Sequence, residues 1–192
     1  IDEKKGSRWI AHTPWNGDFG GAKFMDPMVE FPFIVENGLL RIEASKKNGI
    51  WQSGLLSAVD LEGRGFTQRF GYFECRAKFP EGPGVWPAFW LMGTKNLKLL
   101  ENKGPRINPE VDVVEYYGHW PNRYSYVLHQ WGFEGIEHTS KGGRMNVFLD
   151  GFHRYGVLID DDFIIYYFDG IEVERMKTPE AVKVPLYPLV NL

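Results

Sequence analysis

The chain has 192 residues, 43% of them hydrophobic, 24% charged and 16% aromatic, and a formal net charge of −3. That length fits one domain with a sizeable core. The slight acidity, with no basic stripe to follow phosphates, argues against nucleic acid as a partner, and no stretch approaches the ~20 apolar residues of a membrane span.

The single cysteine, Cys75, excludes an intramolecular disulfide and a cysteine-rich zinc site. The high aromatic share asks for platforms against sugar rings, an aromatic β-core, or both. Residues 1–32 are rich in Trp, Gly, Asp and Pro and have no clean period; they read as a short strand over 8–11 followed by a long ordered loop, and long loops in compact domains are usually functional. The first five residues carry no signal-peptide apolar core, as in a processed secreted chain.

From Phe33 onward the punctuation is that of an all-β protein. Asn37-Gly38, Asn48-Gly49, Asp150-Gly151 and Asp169-Gly170 are hairpin dipeptides flanked by strand-like runs over 39–44, 147–149 and 163–168. Residues 72–79 alternate sharply, with Tyr72, Glu74, Arg76 and Lys78 on one face and Phe73, Cys75, Ala77 and Phe79 on the other. Cys75 therefore reads as buried packing rather than a reactive thiol. Residues 86–92 put Trp86, Ala88, Trp90 and Met92 on one face, opposite Pro87, Phe89 and Leu91. If both strands join the sheet that carries the carboxylates described next, their apolar faces pack into a sandwich core and the remaining face forms a cleft floor. One helix is expected over 96–102, capped by Thr94 and stopped by Gly104. Repeated short strands without a sustained helical period predict a β-sandwich of two antiparallel sheets, and the absence of repeats or low-complexity linkers predicts one domain over 1–192.

The stretch Pro109-Glu110-Val111-Asp112-Val113-Val114-Glu115-Tyr116-Tyr117-Gly118 places three carboxylates within six residues of strand-forming sequence. Regular alternation puts Glu110 and Asp112 on one face and Glu115 on the other. One β-bulge between Asp112 and Glu115 would bring all three to one surface. Glu110 and Glu115 would then lie about 13 Å apart at their Cα atoms. Side chains leaning together could close that to the ~5–5.5 Å of a retaining glycosidase pair. An acidic surface strand is the alternative reading of the same spacing.

Glu110-Val-Asp112-Val-Val-Glu115 resembles the bulged E-x-D-x-x-E signature of glycoside hydrolase family 16. Gly71-Tyr-Phe-Glu-Cys-Arg-Ala-Lys-Phe-Pro80, Gly84-Val-Trp-Pro-Ala-Phe-Trp-Leu91 and Phe152-His-Arg-Tyr-Gly156 resemble other family segments in the expected order. Thr13-Pro-Trp-Asn-Gly-Asp-Phe-Gly20 and Ser53-Gly-Leu-Leu-Ser57 are most similar to bacterial exopolysaccharide depolymerases of the succinoglycan type. The resemblance implies a concanavalin-like jelly roll with a concave substrate cleft. It implies a secreted, monomeric retaining endo-glycosidase acting on a β-1,3/1,4-glucan or bacterial exopolysaccharide, with Glu110 as nucleophile, Glu115 as general acid and base, and Asp112 interacting with the nucleophile.

By the same resemblance, Trp86 and Trp90 line the subsites beside the scissile bond, Trp120, His129 and Trp131 are further substrate-binding residues, and Trp15, Asn16 and Asp18 border the cleft. Core packing is the competing reading for each tryptophan, and a structural turn for the loop residues. Glu74 and Arg76 read as an ion pair or as sugar contacts, and His153 as a scaffold residue. Catalysis would need no cofactor; a structural calcium away from the cleft, held partly by the chain ends, is a family feature, with its ligands here unknown. The family normally continues beyond Leu192 into at least one more strand, so this sequence reads as a shortened domain. A carbohydrate-binding protein without turnover and a transglycosylase are the alternatives.

Overall fold

The computed structural model describes residues 8–60, 62–97, 107–133 and 135–192. Two antiparallel sheets make the body of the fold. The larger is built from β6 (Leu55–Ser57), β8 (Ala88–Gly93), β9 (Ile107–Tyr116), β10 (Arg123–Gly132), β11 (Thr139–Asn146) and β15 (Leu186–Asn191), in the order β11-β10-β9-β8-β15-β6. The smaller contains β7 (Gly71–Ala77), β12 (His153–Ile159), β13 (Phe163–Phe168) and β14 (Ile171–Lys177), in the order β14-β13-β12-β7. Among the remaining short strands, β1 (Ala22–Phe24) pairs in parallel with β5 (Ile50–Ser53), which also pairs with β4 (Ser45–Lys47), while β2 (Phe33–Glu36) and β3 (Leu39–Ile42) form a hairpin. The expected two-sheet sandwich is therefore observed.

The core lies between the two large sheets. Phe89 and Leu91 of β8, Val111, Val113 and Val114 of β9, and Tyr124, Tyr126 and Leu128 of β10 meet Phe73, Tyr155, Val157, Ile164, Tyr166 and Phe168 from the smaller sheet. Alternation along each strand then sends the intervening side chains to the far face of the larger sheet. A second apolar cluster covers part of that face: Ala88, Trp90 and Met92 of β8 pack with Leu55, Val59, Tyr187 and Leu189, and Phe19 and Phe24 close over them. The covered half leaves the surface over β9, β10 and β11 open.

Several expectations change. Residues 8–11 form no strand; Ile10 alone bridges to Ser57. The loop that follows contains β1. Residues 71–77 lie in the opposing sheet, so Glu74 and Arg76 face solvent far from the carboxylates, where Glu74 accepts a 2.7 Å bond from the Tyr72 hydroxyl and Arg76 lies over the Phe152 ring. Asn37-Gly38, Asn48-Gly49 and Asp169-Gly170 turn hairpins with left-handed backbone at both positions. Asp150-Gly151 does not, because it joins β11 to β12 across two different sheets and 147–149 is not a strand. Around the expected helix, a single 3-10 turn spans Thr94–Asn96; most of 96–102 lies outside the described residues. Cys75 is partly buried against the core, and burial pushes its thiol up to about 11, as inert packing requires.

Candidate active site

β9 carries the acidic triplet in the middle of the larger sheet. Its register against β8 steps from Phe89 opposite Val114 to Trp90 opposite Asp112, and against β10 from Ser125 opposite Glu115 to Val127 opposite Asp112. The extra residue is a bulge at Val113 and Val114, where consecutive valines both bury into the core. Both sides of β9 therefore register the bulge that brings the three carboxylates to one face. Glu110 and Glu115 line one cleft of about 950 Å³ together with Trp86, Tyr117, Trp120, Arg123, Ser125, His129, Trp131 and Arg144.

Each glutamate is held by indole and phenol donors. Trp86 Nε1 (3.1 Å) and Tyr117 Oη (3.0 Å) both donate to Oε1 of Glu115, with the two rings stacked 5.5 Å apart. Trp131 Nε1 donates to Oε2 of Glu110 at 3.1 Å. Each carboxylate keeps its second oxygen free of these bonds. His129, opposite Glu110 in register, brings Nε2 to 3.4 Å from Asp112 Oδ2, an electrostatic neighbour rather than an aligned hydrogen bond. Its other nitrogen lies 3.2 Å from His138 Nε2, and the His138 ring stacks on Trp131 at 4.0 Å.

Asp112 is only 4% exposed, and Oδ2 has no hydrogen-bond partner. Burial, followed by the negative charge of Glu115, drives its carboxyl well above the usual range. Burial, then the charge of Asp112, pushes Glu110 up to about 7, while His129 and the Trp131 bond pull the other way. Three carboxyls this close share protons, and burial favours Asp112 as the one that keeps its proton at neutral pH. Among the described residues, Glu110, Asp112 and His129 also form a group of three side chains whose ligand atoms lie within 4.8 Å of one another. That group belongs to the cleft, whereas calcium was expected away from it, and residues 1–7 at one chain end lie outside the described residues.

Trp86, Trp120, His129 and Trp131 all line the cleft, the last two tryptophans with 47% and 38% exposure at Trp120 and Trp131 respectively. Trp90 does not. It shares the strand face expected of it but is 6% exposed, roofed by Phe19 with ring centroids 6.0 Å apart, and its indole N–H is spent on Asn191 Oδ1 at 2.9 Å. Asn16 and Asp18 stand outside the lining of the cleft and have turn roles: Asn16 takes the turn at φ 55° and donates its amide to Thr13 O, while Asp18 accepts the Phe24 amide and so fixes the apolar roof. Trp15 is exposed outside the lining. His153 bonds Asp169 at 2.8 Å on β12, a scaffold contact.

Tyr117, His138, Arg123 and Arg144 were not anticipated. Tyr117 was legible, since it stands two residues after Glu115 and so shares its face. Arg144 was not, because β11 has the sequence Thr-Ser-Lys-Gly-Gly-Arg-Met-Asn, weak in strand propensity, and exists by pairing with β10 along its whole length.

Residues 34–191 match the family described as Glycosyl hydrolases family 16. The chain is 37% identical over 171 residues to endo-1,3-1,4-beta-glycanase ExsH and 35% identical over 170 residues to endo-1,3-1,4-beta-glycanase EglC, both of Rhizobium meliloti, in each case over 84% of this chain and 34% of the relative. It thus spans about a third of the length of these relatives. The crystal structure of a laminarinase from Flavobacterium sp. UMI-01 superposes with a TM-score of 0.76 at 25% identity, covering 98% of this chain and 82% of the other.

Proposed function

The chain belongs to glycosyl hydrolase family 16, and from that premise we propose that it hydrolyses internal β-glycosidic bonds of a polysaccharide by double displacement with retention of configuration. One observation carries the reading: a bulge at Val113 and Val114 turns Glu110, Asp112 and Glu115 to one face of a cleft lined with aromatic rings. In the first step a Glu110 oxygen bonds to the anomeric carbon as the glycosidic C–O bond breaks, and the leaving oxygen takes the proton of Glu115. In the second, Glu115 removes a proton from water, whose oxygen displaces Glu110 from the anomeric carbon. Glu110 leaves as a carboxylate and Glu115 is protonated again, so the cycle closes without a cofactor.

The hydrogen bonds fit these parts. Trp131 donates to Glu110 and stabilises its charged form, which the nucleophile needs. Protonated Asp112 offsets the repulsion of two neighbouring carboxylates and lets Glu110 ionise. Trp86 and Tyr117 hold Glu115 by one oxygen and leave the other to the glycosidic oxygen. The exposed rings of Trp120 and Trp131 offer flat apolar surface to the C–H faces of sugars.

We assign as substrate a polysaccharide with β-1,3 or mixed β-1,3/1,4 linkages, on the names of the rhizobial relatives, and a β-glucan first, on the name of the Rhodothermus marinus beta-glucanase that the chain also resembles. A polymer too large to cross a membrane places the work outside the cell. The test is release of oligosaccharides from laminarin and barley mixed-linkage glucan, followed by reducing ends and product size. The chain should cleave at least one of them while Glu110→Gln and Glu115→Gln do not; cleavage by both variants would refute the assignment of roles.

A further inference from the structure

Two arginines stand in the cleft beside the carboxylates. Arg123 opens β10, Arg144 lies near the end of β11, and both line the same cleft as Glu110 and Glu115. Ser125 pairs with Arg144 and Arg123 with Asn146, which makes the two arginines diagonal neighbours on one face, about 7–8 Å apart. Ser125 also pairs with Glu115 on its other side. β11 is thus two strand spacings, about 10 Å, from the catalytic strand.

Arg41, Arg64 and Arg175 each pair with a carboxylate elsewhere on the protein. Among the described residues Arg123 and Arg144 have no such partner. The Arg123 guanidinium lies 4.0 Å over the ring centroid of Trp120, a stacking that occupies its flat face and leaves its edge N–H donors pointing outward. Beyond Arg144, on the side away from Arg123, the floor is low, because Gly142, opposite Val127, carries no side chain. Neutral sugars need hydroxyl partners and stacking surface, which the cleft supplies elsewhere. An acidic polymer would meet repulsion from the ionised nucleophile Glu110 unless cations stood beside it.

Resting on the family reading above, we propose that Arg123 and Arg144 form an anion subsite on the β10–β11 side of the catalytic strand, and that the preferred substrate is a β-glucan bearing an acidic substituent. Two planar guanidinium forks at diagonal spacing can both reach one oxyanion held between them. Carboxylate and sulfate share this chemistry. The substituent sits away from the scissile bond, within the reach of two strand spacings, so its position relative to the cleavage point is fixed.

The experiment compares three probes: a linear β-1,3-glucan, the same polymer partly oxidised to carboxylate at C6, and the same polymer lightly sulfated. kcat/KM is measured for the parent chain and for Arg144→Gln, Arg123→Gln and Arg144→Lys. At least one charged polymer should be preferred over the neutral one, and which of the two distinguishes carboxylate from sulfate. The ratio of kcat/KM on that polymer to the neutral one should fall about tenfold in each glutamine variant and less in Arg144→Lys. It should also shrink as salt is raised. Mass spectrometry of the products should find the charged sugar enriched at one fixed distance from the new ends. Equal or faster cleavage of the neutral polymer, with a ratio the variants do not change, would overturn the anion subsite and leave the glycosidase reading intact. Failure to cleave any of the three would overturn both.

Discussion

Replacing Glu110 by glutamine should stabilise the protein, and by an amount that depends on pH. Burial and the neighbouring Asp112 raise the Glu110 carboxyl from 4.5 to about 7. A carboxyl that binds its proton more tightly in the folded chain than in the unfolded one costs stability as pH rises from the lower value to the higher. Below about pH 4.5 the group is protonated in both states and the cost vanishes. Above about pH 7 the full difference applies, about 3 kcal/mol at ~1.4 kcal/mol per pH unit. Glutamine keeps the side-chain shape and an oxygen to accept from Trp131 but cannot ionise, and its neutrality also removes a charge beside Asp112. For a chain of this size about 3 kcal/mol corresponds to roughly 6–12 °C in Tm. Thermal unfolding of the parent and Glu110→Gln should therefore give similar Tm values near pH 4.5, with the variant rising above the parent through pH 6 and levelling off above pH 7. A Tm difference that is the same at pH 4.5 and pH 8, or a parent that gains on the variant with rising pH, would refute the claim that Glu110 is held against ionisation.

Other expectations bear on the roles within the cleft. Glu115→Gln should lower kcat/KM about 10²–10⁴-fold on polysaccharide, with much of the loss recovered on an aryl glycoside whose leaving group needs no proton; an equal loss on both substrates would count against a general acid. Trp131→Phe removes the donor that favours ionised Glu110, so the acid limb of the kcat/KM profile should move to higher pH by about 0.7 for a bond worth about 1 kcal/mol, and a move to lower pH would reverse the assignment. Trp90→Ala should cost about 3–5 kcal/mol in chemical denaturation, as a buried core residue does, whereas Trp120→Ala should raise KM with little change in unfolding; a raised KM and unchanged stability for Trp90→Ala would return that ring to the cleft.

Much of the architecture was legible from local pattern. Strict alternation over 72–79 identified a strand with one buried face, and Asn-Gly or Asp-Gly turns marked three hairpins, because left-handed backbone at both positions selects those residues. The count of residues between Asp112 and Glu115 showed that one face could hold both only through a bulge, and left a regular acidic surface strand as the alternative that the register of β9 then excluded. Tyr117 could have been added by the same rule.

What local pattern could not supply was which sheet a strand joins and what lies over its exposed face. Residues 71–77 alternate in the same way whether they sit beside the carboxylates or across the core from them. Trp86 and Trp90 stand at alternating positions of one run, yet Trp86, just before β8, donates to Glu115, whereas Trp90, within β8, is roofed by Phe19, a residue about seventy positions earlier whose loop is pinned by Asp18. β11 has almost no propensity to be a strand and becomes one because β10 offers it an unpaired edge, and only that pairing brings Arg144 into the cleft. The chain thus determines by itself the face each side chain takes within its strand, because alternation is a property of a few adjacent bonds. Which faces become core, cleft or surface is decided by long-range packing, where the free energy of burial depends on partners far away in sequence.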